Sequence, residues 1–223
     1  MMSLDAVLKV GGSLNRGDAL EALCRKISNL GEHHRLMVVP GGGQFADQVR
    51  NAYQQYNLDE TTAHHMALLA MDQYGYLLNQ LIAGSSLQAD LPAARDAAGL
   101  GQVSILLPSQ PVFQSDPLPH SWHVTSDAIA AWVAQQTNSQ RLILLKDVDG
   151  LFVSIDGLST SEGMILEMTV DQLADHSGGV DEYLSRLLAL TPLETWVLNG
   201  SHPSRLSELL NTGYTAGTRI RCS

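Results

Sequence analysis

The stretch Leu8-Lys9-Val10-Gly11-Gly12-Ser13-Leu14 (LKVGGSL) sets a lysine inside an apolar run and follows it at once with two glycines and a serine. Residues 6–10 (AVLKV) have the length and apolar character of a buried strand. The glycines end that strand in a tight turn, and a helical pattern covers residues 18–30. The same order recurs downstream. Residues 35–39 (RLMVV) predict a strand and 44–53 a helix, and 61–82 predict a long helix. Strands are expected at 103–107 (VSILL), 141–145 (RLILL) and 195–199 (TWVLN), with helices at 126–136 and 203–210. This alternation predicts an α/β chain, residues 1–223 in one domain, with a mostly parallel sheet covered by helices on both faces. Residues 87–101, rich in Ala and Gly, read as a loop or short helix. Residues 152–160, turning at Asp156-Gly157, predict a hairpin on the sheet edge.

Bulk properties narrow the partners. The formal charge is −10 and the sequence pI about 5.1, with no cluster of basic residues, so nucleic acid is excluded as a partner. Hydrophobic residues make up 44%, enough for a sizeable core, yet no apolar run reaches the length of a membrane span. The two cysteines, Cys24 and Cys222, show no metal-ligand or disulfide spacing. Reduced thiols and the absence of a basic, then apolar, leader lead us to expect a cytoplasmic protein.

In open α/β sheets ligands bind beyond the carboxyl ends of the strands, so the strand-end loops carry the functional reading. VVPGGGQFA (38–46) fits the G-x-G-x-x-A dinucleotide fingerprint, with Asp59 at about the spacing of a ribose ligand. Asp59, however, opens a helix instead of ending a strand, which disfavours NAD. The anion-binding part survives: Gly41, Gly42 and Gly43 present backbone N–H groups at a helix start, and three glycines exceed what a turn needs. KVGGSL is not a P-loop, because its lysine precedes the glycines. By residue type alone Lys9 reads as a strand lysine reaching for solvent. In HVTSDAIAAWVA, Thr125 or Ser126 caps a helix and Asp127 falls in its first turn. That is ordinary capping, or a carboxylate orienting a lysine or magnesium. In LILLKDVDGLF, Lys146 stands at a strand mouth before Asp147, Asp149 and Gly150, as a solvated turn or a second cation for phosphates.

Taken in order, these pieces resemble the amino acid kinase family over nearly the whole chain. KVGGS is similar to its first motif, VVPGGG to its second, TSDAIAAWVA to its helix with an organising aspartate, and LLKDVDGLF to its nucleotide motif. The ending VLNGSHPSRLSELLNTGYTAGTRI resembles the family's closing segment. The resemblance implies a three-layer α/β/α sandwich with about eight strands, and phosphoryl transfer from MgATP to a small molecule. It implies that Lys9 binds the transferred group, that Gly11, Gly12 and Ser13 surround the ATP phosphates, and that Asp127 holds Lys9. Asp147, Asp149, Gly150 and Phe152 would line the nucleotide site with Lys146, and Gly41 to Gly43 would face the acceptor and the reacting group. Phosphoryl transfer needs positioning and charge neutralisation, which lysines and backbone N–H groups supply. Magnesium would travel with the nucleotide, since no metal-ligand constellation is visible. The family also implies a homodimer or larger assembly.

One departure stands out. Many members carry Gly-Gly-Met-x-x-Lys late in the chain, whereas residues 178–188 read GGVDEYLSRLL and put Tyr183 at that lysine's place. Either Lys146, which replaces the usual threonine of its motif, supplies the second positive charge, or the chain binds ATP or an oxyanion without efficient turnover. For the acceptor, residues 63–78 (AHHMALLAMDQYGYLL) form the expected element. His64 stands where uridylate kinases carry a sugar-binding aspartate, which disfavours UMP. The small size disfavours an amino acid kinase with a regulatory domain. The helix and the Trp122-to-Asp127 stretch, which brings Thr125 and Ser126 to the acceptor side, are similar to the archaeal-type kinases of methanofuran synthesis. Those kinases convert an aminomethylfuran phosphate to its diphosphate. On that resemblance Asp72, His64 or His65 would meet the substrate's ammonium or ring.

Overall fold

A computed structural model of the chain describes residues 3–15, 19–155 and 158–222. In chain order the elements are β1 (Ala6–Val10), a 3-10 turn (Gly12–Asn15), α1 (Ala19–Gly31), β2 (Leu36–Pro40), α2 (Gly43–Tyr56), α3 (Glu60–Leu81) and β3 (Ser86–Gln88). Then follow α4 (Leu91–Gly99), β4 (Ser104–Leu106), α5 (Ser109–Ser115), α6 (Ser126–Gln136), β5 (Arg141–Lys146), β6 (Leu151–Ile155) and β7 (Leu158–Ile165). The chain closes with β8 (Glu167–Thr169), α7 (Val170–Ala174), α8 (Leu184–Leu190), β9 (Glu194–Asn199), α9 (Pro203–Thr212) and β10 (Thr218–Arg221).

Eight strands form one sheet in the order β3-β4-β2-β1-β5-β9-β10-β8, parallel throughout except between β9 and β10. β1 lies between β2 and β5, and all five of its residues are buried, which is why its sequence is apolar without alternation. Ala6, Leu8 and Val10 join Leu36, Val38, Ile143 and Leu145 in a core roofed by α1 and α9. Val7 joins Val39, Leu142 and Leu144 in the opposite core, roofed by α6 and α8. The period of two along a strand therefore points Lys9, two residues past Val7, to the α6 side. It points Lys146, two past Leu144, to the same side. Lys9 pairs in register with Leu144, so both lysines stand at the carboxyl ends of adjacent strands. α6 is buried on every side from Asp127 to Ala134, as its all-apolar circumference demands.

Of the two readings of residues 87–101, loop or short helix, the structure has the helix, α4, preceded by the unpredicted short strand β3, with the Asp90 carboxylate accepting from the Ala93 N–H at 2.8 Å as its cap. The hairpin's place needs correction. The hairpin exists but forms its own two-stranded sheet, β6-β7, and the main sheet is edged by β3 and β8. Its predicted turn, Asp156-Gly157, lies outside the described residues, as does the predicted helix start at Asp18. The hairpin is tied in by the Leu151 N–H, which donates to Thr218 Oγ1 at 2.7 Å. Residues 108–111 (PSQP) open α5, with Pro111 in the first turn, where a helix needs no proline N–H.

Candidate active site

The strand-end loops meet over the middle of the sheet. Gly12 of the first loop and Gly43 of the second interlock so closely that a Cβ on Gly12 would fall 2.1 Å from both the Gly43 nitrogen and its Cα. Gly43 itself has φ +54°, a conformation glycine adopts without strain. α2 starts at Gly43 with no side-chain cap on its first N–H groups, which therefore remain available to an anion. With the turn after β1, this makes a cleft floored by backbone.

Among the described residues three cations line the cleft: Lys9, Lys146 and Arg50. Two of them share one carboxylate. Asp127, 1% exposed in the first turn of α6, has Oδ1 2.9 Å from Lys9 Nζ, and its Oδ2 accepts from Lys146 Nζ at 2.6 Å. The Lys9 contact is a close ion pair, not an aligned hydrogen bond. Burial pushes Asp127 upward, but the Lys9 and Lys146 ammonium groups outweigh it and hold the carboxyl down at about 2. Burial pushes Lys9 below the ordinary lysine value, against the pull of Asp127. The result is a fixed Lys9–Asp127–Lys146 triad where two parallel strands end.

A second carboxylate braces the triad, and sequence reasoning missed it. Asp181 Oδ2 accepts from the Thr125 N–H (3.0 Å), Thr125 Oγ1 (2.9 Å) and the Ala128 N–H (2.8 Å) at the head of α6. Its Oδ1 accepts from the Leu184 N–H at 2.8 Å and so holds the turn that leads into α8. Burial and the neighbouring Asp127 charge push Asp181 up, opposed by these hydrogen bonds. The signal was present as Asp181 three residues before Leu184, the spacing of a helix cap. Arg50 was also missed. It lies seven residues after Gly43, on the cleft-facing side of α2, where it pairs with Asp47 at 2.8 Å and covers the Trp122 ring with its Cζ 5.5 Å from the centroid.

A second cavity adjoins the cleft through Gly42, Ala46, Arg50, Thr125 and Ser126. Its walls are mostly apolar: Ala63, Ala67, Leu68, Met71, Val124 and Ile129, with Trp122 as a flat side. His64 lines it. Burial, with His120 and His65 nearby, pushes the His64 imidazole down to about 4, so the ring is neutral at physiological pH.

Of the predicted residues, the structure brings Lys9, Gly11, Gly12, Ser13, Gly42, Gly43, Thr125, Ser126, Asp127, Lys146 and Asp147 to one cleft. Others it does not. Gly41 lies beneath, its N–H donating to Val10 O at 2.9 Å. Asp72 accepts from the Ser109 N–H at 3.2 Å and from Ser109 Oγ, so its carboxylate holds the start of α5 and lines neither cavity. His65 sits edge-on to Phe113 at 4.9 Å and to His120 at 5.3 Å and lines neither cavity. Asp149 accepts from Arg205 (2.6 Å) and Asn199 (3.2 Å), which lowers its pKa and turns it toward α9. Gly150 is held close to Thr218, and Phe152 sits in the hairpin opposite Met164. Tyr183 heads α8 under the Arg186 guanidinium, 5.6 Å from its ring centroid, and neither lines the cleft. Lys146 thus stands as the cleft's second lysine.

Fold and site define a phosphoryl-transfer protein of the glycine-loop and lysine type. The chain belongs to the amino acid kinase family, whose model matches residues 6–191, and it is a kinase of that family. It is 28% identical to the [5-(aminomethyl)furan-3-yl]methyl phosphate kinase of Methanocaldococcus jannaschii over 96% of both chains. It is 25% identical to the uridylate kinase of Thermococcus kodakarensis over 91% of both. The solved uridylate kinase of Archaeoglobus fulgidus superposes with a TM-score of 0.79 at 21% identity, covering 98% of this chain and all of that one.

Proposed function

We propose that the protein transfers the γ-phosphoryl group of ATP to an aminomethylfuran phosphate, giving the diphosphate. The observation that carries the transfer is the Lys9–Asp127–Lys146 triad lining the cleft that adjoins the apolar cavity. MgATP supplies the activated phosphoryl group when bound, its metal neutralising the phosphates. The chain's part is to hold both ends. Backbone N–H groups of Gly12 and Ser13 and at the head of α2 fit phosphate oxygens, while the Gly11 N–H is given to Leu145 O at 2.8 Å and holds the loop to β5. Lys9 and Lys146 neutralise charge on the group in transfer, and Asp127 keeps both ammonium groups aimed without a moving part. Among the described residues no side-chain cluster could hold a metal by itself, so the magnesium would be held chiefly by the nucleotide phosphates.

The aminomethylfuran acceptor is supported by the M. jannaschii relative, matched end to end, and by the small apolar cavity with a neutral histidine. UMP is the second reading, favoured by the uridylate kinase relatives. A coupled assay of ADP release with each acceptor and with none decides between them. Turnover dependent on the aminomethylfuran phosphate is expected. Tight ATP binding with no acceptor-dependent release would make the protein a binding protein on this fold. We also propose a homodimer or larger assembly in the cytoplasm. Leu69 (47% exposed) and Tyr76 (61%), two turns apart on α3, form an uncovered apolar stripe, and both cysteines are free. Among the described residues no helix is long and apolar enough to cross a membrane.

A further inference from the structure

The acceptor cavity is polarised along α3. Its wall on that helix is Glu60, Ala63, His64, Ala67, Leu68 and Met71, spaced to share one face. Gly75, four residues beyond Met71, lies against Pro40 at the end of β2, where an added Cβ would be 3.4 Å from the proline ring. The helix therefore runs from the cavity's outer mouth at Glu60 inward to the strand ends. At the rise of an α-helix, Glu60 and Met71 are separated by roughly 16 Å along the axis. The inner end is donor-rich, with the head of α2 at Gly42, and the Arg50 side chain, two turns along α2, is shared with the cleft. The outer end holds Glu60, the cavity's only carboxylate among the described residues.

His64, one turn inward of Glu60, is the second observation. It is 8% exposed, and its Nε2 is buried without a hydrogen-bond partner. Such an orphan is costly unless something fills it. The ring is fixed from behind. It stacks on His120 at 4.6 Å and 17°, and His120 is itself held by Thr61 Oγ1 (2.9 Å) and Asp116 Oδ1 (2.8 Å). A neutral imidazole protonated on Nδ1 offers Nε2 as an acceptor.

We infer that Glu60 and His64, at i and i+4 on α3, form an amine-binding pole that selects acceptors carrying an ammonium group at the end opposite their phosphate. Glu60 supplies the countercharge and His64 Nε2 a directed acceptor, while the head of α2 and Arg50 take the phosphate. The apolar walls between them suit a small flat ring. This deepens, and rests on, the reading of the cavity as the acceptor site. It replaces Asp72 and His65 as candidates for the ammonium, since neither lines this cavity.

The test is calorimetric and needs no turnover. Binding of [5-(aminomethyl)furan-3-yl]methyl phosphate is compared with that of the isostere bearing ethyl in place of aminomethyl, for the wild type, Glu60→Gln and His64→Gln. The wild type should prefer the amine by about tenfold, the scale of one charge-assisted contact, and each substitution should cut that ratio to about threefold or less. Glu60 is exposed, so its variant tests the idea even if the buried His64 substitution impairs folding. An unchanged ratio in Glu60→Gln, or no preference in the wild type, overturns the inference. ATP turnover measured on the same samples separates the two claims. A falling ratio without turnover would support the amine pole and sink the kinase reading.

Discussion

Replacing Lys146 by Met separates catalysis from stability at this site. The substitution keeps most of the side chain's length and removes its charge and hydrogen bond. Asp127 would still have Lys9 at 2.9 Å, so no buried carboxylate is orphaned. The stability cost should fall well below the ~3–5 kcal/mol of breaking a buried pair outright. A further offset comes from Lys9, whose proton affinity Lys146 depresses. A fall in Tm of about 5 °C or less is expected for a chain of this size. Catalysis should suffer far more. Loss of one preorganised charge donor at a transition state costs about 10²–10³ in kcat, or about 3–4 kcal/mol. The assay is coupled ADP release under saturating ATP and acceptor, run beside thermal melting followed by circular dichroism. Lys9→Met serves as the reference. If Lys146→Met turns over within threefold of wild type while Lys9→Met loses a hundredfold, Lys146 does not replace the family's late lysine.

Three other outcomes follow from the same geometry. Asp127 titrates at about 2 when folded and near 3.8 when unfolded, so its ionised form adds about 2 kcal/mol above pH 4, lost as the pH falls toward 2. Urea unfolding of Asp127→Asn between pH 2 and 5 should show a correspondingly shallower decline, and identical pH slopes would count against the triad. Asp181→Ala removes four hydrogen bonds at the heads of α6 and α8. It should cost about 2–4 kcal/mol in denaturant melts and lower kcat through the displaced Asp127, whereas wild-type stability would refute the brace. Gly12→Ala places a methyl 2.1 Å from the Gly43 backbone and must separate the two loops. ATP binding by calorimetry should weaken at least tenfold, and an unaltered Kd would show that the interlock does not shape the phosphate site.

The parallel sheet was legible because each strand facing two helical layers is written as an unbroken apolar run, and β1, β2, β5 and β9 all read that way. The three-residue strands β3, β4 and β8 are too short to show a period, so two of them passed unread and the third was placed one residue too long at each end. α5 was hidden by its own prolines, which look like loop punctuation until Pro111 is seen to fall in a first turn.

The site was legible where chemistry is local and obscure where it depends on distant partners. The glycine loops announce themselves, since only backbone can approach a phosphate so closely. Asp149 and Asp72 looked equally functional, because nothing within a few residues shows that Arg205 and Ser109 occupy their carboxylates. Lys9 shows the opposite case. By residue type it was a strand lysine reaching for solvent, yet it is 6% exposed. What reverses the reading is a register: Lys9 beside Leu144 on a neighbouring strand, with Lys146 two residues further on the same face. Two ammonium groups so placed would repel each other and resist burial unless a carboxylate entered from the covering helix. Asp127, at the first turn of α6, is the residue that the crossover from the first half of the sheet can deliver there. Helix capping and lysine alignment, which compete as explanations of Asp127 when the sequence is read alone, are therefore one arrangement: the helix start that favours an acid is the point at which the two strands need one.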